Sequence, residues 1–136
     1  MNRSHEYAQT LLAKARDDCY VLTRLADDPE APAWTLGFHA QQAVEKAIKA
    51  VLSDKRVEYP RTHNLSLLTD LVRGAGLQSP PDEAEFSRLT PYGAPLRYEA
   101  ATDVGLEMDL DRAWAQQAAQ RTIGWAEMSL GKAGER

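Results

Sequence analysis

The sequence has little of what an exported, membrane-spanning or metal-dependent protein requires. Cys19 is the single cysteine in 136 residues, which excludes an internal disulfide and any thiolate-rich metal site. No apolar run approaches the roughly 18 residues needed to span a bilayer. The opening MNRSHEYAQTLLAKARDDC lacks the uninterrupted apolar segment and small-residue cleavage site of a signal peptide, so a cytoplasmic location is expected. Basic residues are in deficit: 16 Lys and Arg stand against 20 Asp and Glu, a net charge of −4. That balance argues against binding extended nucleic acid through many phosphates. A glycine-rich phosphate loop, an H-E-x-x-H pair, a Glu-x-x-His pair and a nucleophile elbow are all missing, and with them most enzyme classes and any expected metal or cofactor. Neither an internal repeat nor a segment alternating apolar and polar residues occurs, so no exposed-face strand is expected.

What is present reads as one soluble domain over residues 1–136, with 43% hydrophobic and 26% charged residues. The spacing of Ala8, Leu11, Leu12, Ala15, Cys19, Leu22 and Leu25 predicts an amphipathic helix from Ser4 to about Asp27 in which Cys19 is a small core or boundary residue. DDPEAP ends it, and Pro32 suits the first turn of a second helix reaching about Ser53. Leu36, Ala40, Ala43, Val44, Ala47, Ile48 and Val51 give that helix a wide apolar stripe whose alanines admit a close neighbour. THNLSLLTDLVRG predicts a third helix, with Thr62 or Asn64 as its cap, Leu65, Leu68 and Val72 buried and Gly74 as its left-handed stop.

Residues 79–90 predict a short helix pinned by Phe86 and Leu89, and 91–105 an ordered loop. Asp109 or Asp111 then caps a long helix to about Leu130, with Ala115, Ala119, Ile123, Ala126 and Leu130 on one stripe. Trp114 and Trp125, about three turns apart on that helix, either complete the monomer core or form the face of a homodimer. The expected fold is all-α: an antiparallel up-and-down bundle of three long and one or two short helices.

The polar residues concentrate on the second helix, in FHAQQAVEKAIKAVL (38–52). Gln42, Glu45, Lys46, Lys49 and Ser53 follow one another at three- and four-residue steps, and His39 begins a neighbouring row. One reading is a solvated face with Gln42–Lys46 and Glu45–Lys49 contacts at i,i+4. The other is a groove in which Lys46 and Lys49 supply positive charge and Gln42 and His39 directional hydrogen bonds, as a phosphate-bearing ligand requires.

The string at 38–52, followed by YPRTHNLSLLTDLV and later by LRYE ahead of a long helix, resembles the HEPN domain family over nearly the whole chain. The resemblance implies a helical bundle, frequently dimeric, similar to the C-terminal domain of kanamycin nucleotidyltransferase. It further implies a minimal nucleotidyltransferase partner or a nucleotide ligand, commonly within a toxin–antitoxin pair. On this chain Lys46 and Lys49 are expected to engage phosphate or an acidic partner surface, with His39, Gln42, His63 and Arg97 as orienting donors, the last in a pair similar to the Arg-Tyr that many of these domains show before the final helix. Many relatives continue that pair with Pro-Asp, where Glu99-Ala100 stands here.

Many related toxins are metal-independent ribonucleases with Arg-x4–6-His late in the chain. Here the histidines are His5, His39 and His63, so the late motif is absent and a non-catalytic binding protein is expected. The alternative is an endoribonuclease with His63 as general base and Arg56 as the charge stabiliser, the two separated by six residues. A purely structural interaction module is the remaining reading. His63 also has a structural role open to it, bonding the end of the third helix or an adjacent one.

Overall fold

The computed structural model describes residues 3–93 and 110–134, and its architecture is set by a helix buried on nearly every side. That helix, α2 (Ala33–Asp54), follows α1 (Arg3–Leu25) and precedes α3 (Leu65–Gly74), a 3₁₀ segment (Glu83–Tyr92) and α4 (Arg112–Gly134). Fourteen of its 22 residues are buried, which makes it the axis of the fold rather than a surface element. It packs most extensively on α1 and then on α4, with α3 and the 3₁₀ segment closing the remaining sides. No strand occurs among the described residues, and no helix is long and apolar enough to cross a membrane.

Every residue of the expected α2 stripe is buried, from Leu36 through Val51. Ala40, Ala43, Ala47 and Ala50 supply little bulk, so neighbouring helices approach α2 closely on more than one face. Leu12 and Leu22 of α1, Leu68 and Val72 of α3, and Ala119, Ala126 and Leu130 of α4 fill the space around it. Asn64 caps α3, its side-chain oxygen accepting from the Leu67 N–H at 3.1 Å. Asp111 does the same for α4 through the Trp114 N–H at 3.0 Å.

Residues 83–92 form a 3₁₀ segment rather than a short α-helix. Its buried side chains explain the choice: Phe86, Leu89 and Tyr92 recur every three residues, and three residues per turn places them in a single row. Pro91 and Tyr92 belong to this segment instead of to the expected loop, most of which lies outside the described residues. The Tyr92 ring lies on Gly37 so closely that a Cβ there would stand 2.5 Å from a ring carbon. Glycine at 37 is thus the space that lets the 3₁₀ segment dock on α2.

Two helices end in the same hydrogen-bonded motif. At the end of α3, Leu77 N bonds Val72 O (3.1 Å) and Gly76 N bonds Arg73 O (2.9 Å), with Gly76 left-handed at φ 77°. The stop falls two residues beyond Gly74, which is still helical, because the motif places its left-handed residue past the C-cap. At the end of α2, Val57 N bonds Leu52 O (2.8 Å) and Arg56 N bonds Ser53 O (3.1 Å). There the left-handed position is held by Arg56, at φ 60°. A side chain in that conformation costs about 1–2 kcal/mol that glycine avoids.

Arg56→Gly is therefore expected to raise stability by about 0.5–1 kcal/mol once glycine's greater chain entropy is subtracted, read as a higher urea midpoint at unchanged slope. The two glycine-to-alanine exchanges at Gly37 and Gly124 should have opposite signs. Gly124 has nothing within 4 Å of its would-be Cβ and should gain about 0.5–1 kcal/mol. Gly37→Ala must displace Tyr92 and should lose about 1–3 kcal/mol. Thermal melts of the two variants beside the parent check both.

Candidate functional site

The polar residues of α2 divide into two clusters, each built around a carboxylate that has lost most of its water. The first centres on Glu45, whose side chain is 5% exposed. Its Oε1 accepts from the Gln41 amide at 2.9 Å and from His63 Nδ1 at 2.9 Å, and its Oε2 accepts from Lys49 Nζ at 2.8 Å. Gln41, fully buried, also reaches the His63 carbonyl at 3.3 Å, and its own oxygen accepts from the Gln42 amide at 2.8 Å. A buried charge is tolerable only when paired and hydrogen-bonded, and here three donors on two oxygens meet that condition. The network fastens the α2–α3 connection to the side of α2.

The second cluster bridges α1 and α2. Asp18 accepts from His39 Nδ1 at 2.9 Å on one oxygen and from Lys46 Nζ at 2.7 Å on the other. Burial alone would raise the Asp18 pKa, but the hydrogen bonds and charges of His39 and Lys46 outweigh it and hold the carboxyl below its ordinary value. The same arrangement recurs at the far end of the helix pair, where His5 Nδ1 meets the buried Asp54 at 2.6 Å and Lys55 approaches its other oxygen at 3.3 Å. Each of the three histidines thus presents Nδ1 to a carboxylate, which can only accept, so that nitrogen carries the hydrogen.

Gln42, Lys49 and His63 are accordingly brought together around Glu45, while His39 and Lys46 lie apart from them around Asp18. Of the two expected i,i+4 contacts, Glu45–Lys49 forms and Gln42–Lys46 does not, because Asp18 holds Lys46 and the buried Gln41 holds Gln42. Arg97 and Tyr98 lie outside the described residues. Arg56 and His63 are both exposed at opposite ends of one loop; His63 is tied to Glu45, whereas the Arg56 guanidinium meets no partner among the described residues.

Sequence reasoning did not identify Asp18, Gln41 and Glu45 as the centres of these clusters. A signal for two of them was present: Gln41 and Glu45 share the i, i+4, i+7, i+11 row with Ile48 and Leu52, and polar residues on a buried row need buried partners.

The loop between α2 and α3 adds what α2 itself does not offer. It carries Lys55, Arg56 and Arg61 against Glu58 alone, in a chain that is acidic overall. Arg61, like Arg56, is exposed and meets no side-chain partner among the described residues. Tyr59 of the same loop packs, partly buried, against the core, its hydroxyl 2.9 Å from Ser53 Oγ and its ring 5.7 Å from Lys49 Nζ. Burial pushes the Tyr59 hydroxyl up, with the Ser53 hydrogen bond opposing, so it is a proton donor rather than a base at neutral pH. Burial also pushes up the Cys19 thiol, which lies 3.9 Å from the Thr23 hydroxyl one turn further along α1.

Both tryptophans of α4 have their N–H groups satisfied within the chain. Trp114 donates to Glu85 at 3.2 Å under the Arg88 guanidinium, and Trp125 donates to the Gln78 carbonyl at 2.9 Å. Both rings pack, partly buried, against the core. Among the described residues, no group of three or more His, Cys, Asp or Glu could hold a metal ion.

Among the described residues the chain is all-helical, with a central helix whose buried Gln41 and Glu45 bond His63 of the following loop. The HEPN domain model matches residues 8–132, and the chain belongs to the HEPN family. No curated protein and no solved structure matches it.

The lowered Asp18 pKa fixes a sign. The stabilisation it contributes is complete above the unfolded carboxylate pKa, about 3.9, and is lost as pH falls through the lower folded value. Urea midpoints measured from pH 5 to pH 2 should therefore drop less steeply in Asp18→Asn than in the parent. Glu45→Ala, which strands the Gln41 amide and Lys49, should cost about 3–5 kcal/mol at pH 7, measured the same way.

Proposed function

We propose that this HEPN protein is a non-catalytic binding protein whose contact surface is the α2–α3 loop rather than the lysines of α2. Its ligand is a nucleotide or the acidic surface of a partner, with a minimal nucleotidyltransferase in a toxin–antitoxin pair as the partner class that the family implies. The protein acts as a cytoplasmic homodimer of antiparallel up-and-down bundles. One observation carries the reading: Lys46 and Lys49 are each ion-paired to a largely buried carboxylate, whereas Arg56 and Arg61 are exposed without partners among the described residues. A phosphate arriving at α2 would have to displace Asp18 or Glu45 and leave a buried charge unpaired. At the loop it meets guanidinium groups whose forked donors are open and which bind phosphate in bidentate fashion.

Gln42 completes the surface as an orienting donor held from behind by Gln41, and His63, whose Nδ1 hydrogen is given to Glu45, adds an acceptor at Nε2. His39, Lys46 and Lys49 then act as supports of the helix that carries the loop. Arg97 joins the set on the family resemblance alone. The strained conformation at Arg56 supports a role for its side chain, because glycine would serve the turn better.

A second reading is favoured by one contact. The 2.9 Å bond from His63 Nδ1 to the buried Glu45 leaves Nε2 as the outward, proton-accepting nitrogen, which is what a general base requires. An endoribonuclease would then use His63 with Arg56 as charge stabiliser.

Thermal shift with each of the four ribonucleoside triphosphates tests the leading reading. At about a hundredfold excess over Kd a binder stabilises by about 2.7 kcal/mol, and the double variant Arg56→Ala/Arg61→Ala should lose most of that shift while keeping its own melting behaviour. No shift with any triphosphate removes the nucleotide arm, and the same double variant retaining full affinity for a partner subunit removes the loop. RNA incubated with the protein in chelator should stay intact; cleavage abolished by both His63→Ala and Arg56→Ala installs the second reading instead.

A further inference from the structure

Behind the α2–α3 loop, the end of α2, the stretch joining α3 to the 3₁₀ segment and one face of α4 enclose a groove of about 520 Å³, the size of a small-molecule site. Arg121, Trp125 and Ser129 follow each other at i, i+4 and i+8 along its α4 wall, a span of about 12 Å. Lys55 stands at the Ser129 end, its Nζ 3.5 Å from the Ser129 carbonyl. The groove therefore has a cation at each end and the Trp125 indole between them. The indole N–H is already bonded to the Gln78 carbonyl, so the ring contributes only its apolar and π surface. Leu77 and Met128 extend that surface, and Met128 is 67% exposed, among the most exposed large apolar side chains of the fold.

The charged side chains lining this wall are cations. Lys55 and Arg121 line it, and no Asp or Glu does among the described residues, although the protein carries a net −4. Each cation has a carboxylate behind it, but loosely: Lys55 lies 3.3 Å from Asp54 Oδ2 and Arg121 3.6 Å from Asp82 Oδ2. Both oxygens are buried and neither accepts a hydrogen bond, so each cation, though ion-paired, keeps N–H donors for the groove.

We propose that this groove binds a small planar organic anion, its ring system against Trp125 and Met128 and its carboxylate or comparable anionic group on Arg121 or Lys55. The site is separate from the guanidiniums of the α2–α3 loop, and its occupancy does not depend on what that loop binds. Isothermal titration with 2-naphthoate, against the uncharged 2-naphthylmethanol of the same ring system, tests it on the intact chain. Naphthoate should bind with a dissociation constant of about 0.1–1 mM, and the alcohol about tenfold more weakly, the worth of one charge-assisted bond. Arg121→Gln and Lys55→Gln should erode the preference for the acid and leave the alcohol unchanged, which a merely misfolded variant would not do. Met128→Ala should weaken both ligands, and Lys14→Gln on exposed α1 neither. Equal affinity for acid and alcohol would mark the groove as a plain apolar dock and overturn the proposal. So would the absence of binding at several times the expected constant, or a preference for the acid that survives both charge variants.

Discussion

A carboxylate taken out of water must be surrounded by donors, and in this protein the position of Glu45 dictates where those donors come from. Two are supplied locally, one turn to either side on α2, by Gln41 and Lys49. The third comes from His63, eighteen residues away, and it is this one that gives the network architectural reach. Together with the Gln41 bond to the His63 carbonyl and the Ser53–Tyr59 hydroxyl pair, it anchors the α2–α3 loop on the helix just ahead of Asn64, the cap of α3. Asp18 with His39 and Lys46 performs the equivalent service between α1 and α2, and Asp54 with His5 at the opposite end. The helices are sealed by alanine and leucine, but their register is set by three acids, each meeting a histidine.

That division explains what could be read from the sequence. Apolar periodicity needs only helical geometry, so the buried faces of α1, α2 and α4 and the residues Leu65, Leu68, Val72, Phe86 and Leu89 were all legible. The caps Asn64 and Asp111 were legible for the same reason, since each acts within its own turn. The partners of Lys46 and Gln42 were not, because the competing acceptors, Asp18 from another helix and Gln41 from the buried row, outrank an i,i+4 neighbour only after the chain has folded. The 3₁₀ geometry was concealed differently: Phe86 and Leu89 suit an α-helix as well, and Tyr92, which reveals the period of three, stood beyond the proline where a loop was expected.

For the surface, the lesson is that a lysine in the sequence is not a cation in the field. Lys46 and Lys49 carry their charge inward to carboxylates, whereas Arg56 and Arg61 stand exposed on the α2–α3 loop. An acidic protein can in this way present a restricted basic patch without attracting nucleic acid along its whole length.

The contrast between near and distant donors on Glu45 also has a temporal side. Gln41 and Lys49 come into place when α2 winds, within the time of a helix–coil event, whereas His63 has to be delivered by closure of a loop. Until it arrives, the carboxylate keeps its remaining hydration, so the loop can lift and reseat while the helix beneath stays intact. Amide exchange of the 55–64 stretch would then run on a clock of its own, faster than that of the helix core to which it is tied.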